Sequence, residues 1–145
     1  MLHPAEVLFN SRQFKKLYDR QISDMASRYG LTPNEICILL FLANNPECDT
    51  AKDIVEMRCL TKSGVSRAVD SLIRQGFLTS REDEKDRRIL HLSILPAAMD
   101  LIRDARQTQE KFFSCIYRGF TASERRTFDR LTEKISDNIK EALHQ

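Results

Sequence analysis

A mainly helical chain interrupted by one small β hairpin, an α+β fold, is what three features of the sequence predict. Apolar side chains recur at helical period through both the N-terminal part and the last third of the 145 residues. Near the middle, two short helical patterns flank the turn Met57-Arg58-Cys59-Leu60. Directly after them come two strand-like runs joined by a polar linker, Glu82 to Arg88.

The first helix spans about Glu6 to Arg28, with Val7, Leu8, Phe14, Leu17, Tyr18, Ile22 and Met25 near one side. Gly30 ends it. Thr32-Pro33-Asn34-Glu35 then supplies an N-cap hydroxyl, a proline at the first helical position and a returning carboxylate, which together start a second helix. Ile36, Leu39, Leu40 and Leu42 are its core residues, and Asn44-Asn45-Pro46 breaks it.

Thr50, with Asp53 three residues on, opens a third helix through a capping box in which Asp replaces the usual Glu or Gln. Ile54 and Val55 point inward, and Met57 and Leu60 are placed to fill the corner before the next helix. That fourth helix starts at the N-cap Thr61 and stops at Gly76. Val65, Val69, Leu72 and Ile73 form its buried stripe, while Ser63, Ser66, Arg67, Asp70 and Arg74 share the other side. An αα-corner accounts for these two helices taken alone; the strands after them argue for more.

Phe77 to Arg81 and Ile89 to Ile94 read as strands, and the linker between them holds no apolar residue, as suits a solvated hairpin tip. Its acids come first, and its cations Lys85, Arg87 and Arg88 come late. Two helices, a brief turn and a hairpin in this order are a helix-turn-helix with a β-wing. The fourth helix suits a DNA major groove, since small hydroxyl residues let the backbone approach and arginine can fork onto guanine. Thr61, Lys62, Ser63, Ser66, Arg67 and Arg74 are therefore the candidate DNA contacts of the helix. Lys85, Asp86, Arg87 and Arg88 are those of the wing, where arginine can enter a minor groove while carboxylates orient it.

With these residues in place, the chain resembles the MarR family of winged-helix transcription regulators. The resemblance rests on Ser63-Gly-Val-Ser-Arg-Ala-Val-Asp-Ser-Leu72, then Gly76-Phe-Leu, Arg81, and Asp86-Arg-Arg88 with Leu92, a D-x-R-x-x-x-L wing signature. It implies a homodimer with two winged heads, usually a repressor, released by a small ligand or by oxidation. It also implies that Ser63, Ser66 and Arg67 face DNA, and that Asp86 and Arg88 form a wing pair in which Arg88 reaches or braces a minor-groove contact. Where the family follows its wing with Leu-Thr-x-x-Gly, this chain reads Ile94-Leu95-Pro96-Ala97-Ala98-Met99, lacking both the capping hydroxyl and the glycine. Pro96 can still begin a helix, by a path out of the wing that need not be the family's.

The last third predicts a helix from about Pro96 to Tyr117, a turn at Gly119 and a final helix opened by Thr121 and Glu124. Phe128, Leu131, Ile135, Ile139 and Leu143 repeat at helical spacing there, beside Phe112, Phe113, Ile116 and Phe120. So long a stripe exceeds what one short bundle needs, and a twin subunit is expected to cover it. The domain reading is a single unit of 145 residues, with 32–94 the winged lobe and 1–29 and 96–145 the dimerisation helices. A twofold dimer would set its reading helices roughly 34–36 Å apart on double-stranded DNA and read a pseudo-palindrome.

The net charge of +2 says little, but its distribution is informative. Residues 1–57 hold six cations against eight carboxylates, 58–91 eight against five, and 92–145 nine against eight, so the excess lies on the reading head. Cys37, Cys48, Cys59 and Cys115 lack metal-ligand spacing, and His3, His91 and His144 are far apart in sequence, so no metal and no cofactor is expected. Cys37 and Cys115 fall in apolar helical patterns as small core residues, whereas Cys48 and Cys59 occupy turns where oxidation would disturb the head. Acidic neighbours should raise the Cys48 pKa, and only Arg58 is near enough to activate Cys59. Peroxide-sensing members of the family use a cysteine in the first helix, and none precedes Cys37.

Neither G-x-S-x-G nor a phosphate-cradling glycine loop is present, which argues against an enzyme. No apolar run reaches the roughly 20 residues of a membrane span, and no export signal opens the chain, so a cytoplasmic protein without membrane contact is the expectation. Phe14, Tyr18, Met25 and Arg28 on the first helix are candidates for binding an apolar or aromatic acid-like effector. The competing reading is a winged-helix protein-interaction module that has lost DNA binding.

Overall fold

The computed structural model describes residues 3–58 and 60–144. In chain order the elements are α1 (Pro4–Arg28), α2 (Pro33–Asn44), α3 (Ala51–Arg58), α4 (Lys62–Arg74), β1 (Leu78–Glu82), β2 (Leu90–Ile94), a 3-10 turn (Pro96–Ala98), α5 (Met99–Ile116) and α6 (Ala122–Leu143). Contacts group the chain into two compact units, Met1–Phe112 and Phe113–Gln145.

In the first unit, α1 begins two residues before the apolar pattern does. His3 caps it, its Nδ1 accepting from the Ala5 N–H at 3.3 Å, and Pro4 sits at the first helical position. The helix ends where Gly30 takes φ +66, which lets its N–H reach the Ser27 carbonyl and the Leu31 N–H reach that of Ala26. α2 is apolar almost all round: Ile36, Ile38, Leu39, Leu40, Phe41 and Leu42 are all buried. A helix buried on every side is the hub of a core, and α1, α4 and β2 all pack on this one.

The Thr50 box forms as its spacing predicts, with the Asp53 N–H donating to Thr50 Oγ1 at 3.2 Å and the Thr50 N–H to Asp53 Oδ2 at 3.1 Å. Ile54 is fully buried, but Met57 is 56% exposed and does not fill the corner. Leu60 packs against the core there instead, since Met57 lies in the outward-facing last turn of this eight-residue helix. α4 buries Val65, Ala68, Val69 and Leu72, with Ile73 partly buried beside them.

β1 and β2 pair antiparallel from Leu78 opposite Ile94 to Glu82 opposite Leu90. A lone two-stranded ribbon is marginal in water, and only Leu78 and Leu92 of its strands are buried. Backbone ties to its surroundings compensate. Leu92 N–H donates to the Asp49 carbonyl at 2.8 Å, Thr50 bridges to His91, and Leu95 N–H donates to the Phe77 carbonyl at 2.9 Å. Pro96 starts a 3-10 turn without a side-chain cap, and the regular helix begins only at Met99, later than the sequence predicts. The missing hydroxyl at Leu95 is the reason, because it leaves the first N–H groups to a tighter i to i+3 turn. α5 buries Leu101, Ile102, Ala105 and Phe112, and Tyr29 donates a hydrogen bond to Asp104.

The second unit holds the end of α5 and all of α6. Tyr117 lies edge-on to Phe120 and Phe128 at 5.6 and 5.9 Å, and the Arg125 guanidinium sits 4.3 Å above its ring. Thr121 and Glu124 form the predicted capping box. No residue of α6 is buried, and Cys115 is exposed, correcting its placement as a core residue. It follows Phe112, the last buried residue of α5, so the apolar pattern outlasts the burial there. No described helix is long and apolar enough to cross a membrane.

Candidate nucleic-acid interface

Helical period and a strong N-cap place the candidate contacts of α4. Thr61 Oγ1 accepts from the Gly64 N–H at 3.0 Å, fixing the first turn. That approach requires glycine, because a Cβ on residue 64 would lie 2.8 Å from the same oxygen. With Val65, Ala68, Val69 and Leu72 turned inward, Thr61, Lys62, Ser63, Ser66, Arg67 and Arg74 are all exposed. Lys62, Ser63, Ser66 and Arg67 make no side-chain hydrogen bond or ion pair among the described residues. Arg74 is engaged locally, its Nε 3.4 Å from the Asp70 carbonyl. The face thus offers hydroxyls near the helix start and an uncommitted guanidinium one turn later, the chemistry that phosphate and guanine edges take up.

The wing is built on two Asp residues. Asp83 Oδ2 accepts from the backbone N–H groups of Lys85 and Asp86 at 2.9 and 3.0 Å, which folds the turn. Asp86 in turn holds Arg88: Oδ1 accepts from its backbone N–H and Nε, and Oδ2 from Nη2. This fork pins the exposed Arg88 side chain and holds the Asp86 carboxyl below its usual pKa. Arg87 lies 3.9 Å from Glu82, and Lys85 projects free of ion pairs among the described residues. Arg81 on β1 is also exposed and adds a cation beyond the contacts predicted from the sequence.

One side-chain cluster is invisible in the sequence pattern. His91, the second residue of β2, has Nδ1 2.8 Å from Asp49 Oδ1 and Nε2 2.8 Å from Asp83 Oδ1. Donating hydrogen bonds to the Asp83 and Asp49 carboxylates raises its pKa above the usual 6.5, while the His91 bond and the two backbone N–H groups lower that of Asp83 to about 2. Strand alternation does signal that His91 shares a face with Ile89 and Ser93; it carries no signal for the loop residue Asp49.

The candidate effector residues separate. Phe14 and Tyr18 meet Phe112 edge-on, at 4.8 and 5.2 Å, and the Tyr18 hydroxyl accepts from Gln109 Nε2. Met25 is buried in the core, and Arg28 is exposed in the last turn of α1. Cys48 is partly buried, and its thiol pKa is raised first by that burial and then by Asp53, Glu47 and Asp49. Cys59 lies outside the described residues. Among the described residues no cluster of metal-ligating side chains occurs.

Residues 29–89 match the model of the MarR family. The HTH-type transcriptional regulator PrsX of Escherichia coli is 24% identical over 126 residues, covering 86% of this chain and 75% of PrsX. Among solved structures, a MarR family transcriptional regulator of Listeria monocytogenes complexed with 26mer DNA is similar with a TM-score of 0.85 at 16% identity, over 93% of this chain and 89% of that one. Bordetella bronchiseptica BpsR, whose DNA binding is regulated by 6-hydroxynicotinic acid, gives a TM-score of 0.74 at 18% identity over 90% of this chain and 98% of its own. These structural likenesses speak for the fold. The matched segment runs from the end of α1 through the α4 face to the braced wing turn, and over that segment the chain is similar to the MarR family.

Proposed function

We propose that the chain is a sequence-specific, double-stranded-DNA-binding transcription regulator that works as a homodimer and represses until a small ligand releases it. The observation that carries this reading is the uncommitted Ser63, Ser66 and Arg67 face of α4 together with an exposed Arg88 held by Asp86. Hydroxyls and a guanidinium on a groove-sized helix read base edges and phosphates, and a braced arginine on a hairpin suits a minor groove. The Listeria regulator bound to 26mer DNA supports the same assignment.

Dimerisation is supported by α6, on which Phe128, Leu131, Ile135, Ile139 and Leu143 are 43–79% exposed. An apolar face this long is poor in water and good against a copy of itself. Two linked heads would also give the modest charge of each a high effective concentration on one duplex. For release, the BpsR precedent and the aromatic group of Phe14, Tyr18 and Phe112 favour an aromatic acid-like effector. The Gln21 side-chain oxygen, buried one turn from Tyr18 with no hydrogen-bond partner among the described residues, would welcome a donor. Oxidation through Cys48 is disfavoured, because the raised thiol pKa leaves little thiolate.

Selection of duplexes from a random-sequence pool, followed by footprinting, tests the reading. A recovered pseudo-palindrome bound with a steep salt dependence supports it. Weak duplex affinity that is insensitive to replacing Arg67 and Arg88 together would assign the fold to protein contacts instead.

A further inference from the structure

His91 couples two parts of the head that lie far apart in sequence. Asp49 belongs to the loop that leads into Thr50, the N-cap of α3, and Asp83 belongs to the turn of the wing. Both imidazole nitrogens face a carboxylate oxygen at hydrogen-bond distance. A neutral imidazole has one donor and one acceptor, so it can satisfy only one of them and sets a lone pair against the other carboxylate. Only the imidazolium, with two N–H groups, satisfies both.

We propose that His91, as an imidazolium, is a positioning residue that clamps the wing turn to the start of α3, so that loss of its proton loosens the wing and weakens DNA binding. The DNA half of this rests on the function proposed above. Asp83 is the pivot, since the carboxylate that receives His91 also accepts the Lys85 and Asp86 N–H groups. Shifting Asp83 therefore disturbs the turn that presents Lys85, Asp86 and Arg88.

The surroundings leave the two carboxylates in control of the proton. Arg81 lies opposite His91 in register on β1. From α3, Asp53 is occupied by Thr50, and α2, which packs on β2, brings only Glu35, itself occupied by Thr32. Glu47 and the wing residues Glu82 and Asp86 add negative charge to the same end of the head, with Asp86 committed to Arg88. The folded state raises the His91 pKa, so its contribution is complete below the usual 6.5 and fades as pH climbs through the raised value.

The experiment measures binding of a duplex selected on the wild-type protein, by fluorescence anisotropy at constant ionic strength from pH 6 to 9. It is run for wild type, His91→Gln and His91→Lys. Amide protection of Lys85 and Asp86, corrected for intrinsic exchange, is followed in parallel by NMR. The expected result is a fall in wild-type affinity on the order of tenfold, an ordinary coupling between two sites, with protection falling over the same range. His91→Gln should be weak and flat with pH. His91→Lys, which keeps a charge and donors, should restore tight binding and hold it to high pH. A wild-type slope retained by His91→Gln, or wing protection indifferent to pH, overturns the clamp. Absence of duplex binding by wild type at every pH overturns the DNA-reading function instead, and the clamp then stands or falls on the amide protection.

Discussion

Asp86 grips Arg88 at three points, with its Oδ1 3.0 Å from the Arg88 backbone N and 3.1 Å from Nε, and its Oδ2 3.2 Å from Nη2. Charge alone and geometry alone predict opposite outcomes for Asp86→Ala. If the wing faces DNA as proposed, removing an acid from it should tighten binding, whereas unpinning an arginine should loosen it. Bracing is expected to win by several-fold in dissociation constant, and the effect should vanish in an Arg88→Ala background. A double-mutant cycle measured by anisotropy checks this. Equal gains in both backgrounds would mean that Arg88 is not held for DNA.

Arg67 and Lys85 should fail in different ways. Arg67→Ala is expected to cost about 1–3 kcal/mol on the selected duplex and to relax sequence preference, while Lys85→Ala should weaken all duplexes and flatten the salt slope by about one. Affinities on selected and random duplexes over a salt series separate the two behaviours. Equal losses on both duplexes for both variants would contradict the division.

Gly64 offers a sign test. Glycine to alanine in a helix usually gains up to about 1 kcal/mol, but here the new methyl would lie 2.8 Å from the oxygen of the cap, Thr61 Oγ1. Gly64→Ala should therefore leave wild type no more stable, yet stabilise a Thr61→Ala protein, which has itself lost about 1 kcal/mol. Urea unfolding of the four proteins gives the answer. Additive gains would show that Thr61 does not depend on the missing methyl.

Acid should act on the wing through Asp83. Its pKa falls to about 2 in the folded chain from an ordinary 3.8, so its stabilising effect is full above 3.8 and disappears as pH drops through about 2. The urea midpoint is expected to fall over that window, and Asp83→Asn should be less stable at neutral pH and flatter below pH 4. An unchanged acid limb in Asp83→Asn would place the titration elsewhere.

Ile135, 58% exposed in the middle of α6, should be needed for assembly and not for the fold of its own chain. Ile135→Glu is expected to convert the species seen in sedimentation from dimer to monomer while the far-ultraviolet helix signal of the winged head persists. A monomeric wild type would remove the basis for this expectation.

The parts legible in the sequence were those whose cause is local. The Thr32–Glu35, Thr50–Asp53 and Thr121–Glu124 boxes need only residues three apart, and each formed. The wing pairing could be read because seven polar residues separate two apolar alternations. The His91 clamp is not legible in the sequence, because its partner Asp49 is 42 residues away and no period links them. Met57 and Cys115 depart from the sequence expectation for a related reason, since an apolar residue near a helix end matches a buried stripe whether or not anything covers it. The late start of α5 follows from Leu95, where an absent hydroxyl was visible but the 3-10 turn that replaces it was not.

α6 has 22 residues and not one buried side chain. If its outer face is quenched only by a second molecule, operator occupancy varies with the square of chain supply while heads and pairs are in balance. A cell that halves synthesis of this protein would then lose more than half of the bound complexes, turning a graded change in expression into a sharper transcriptional threshold.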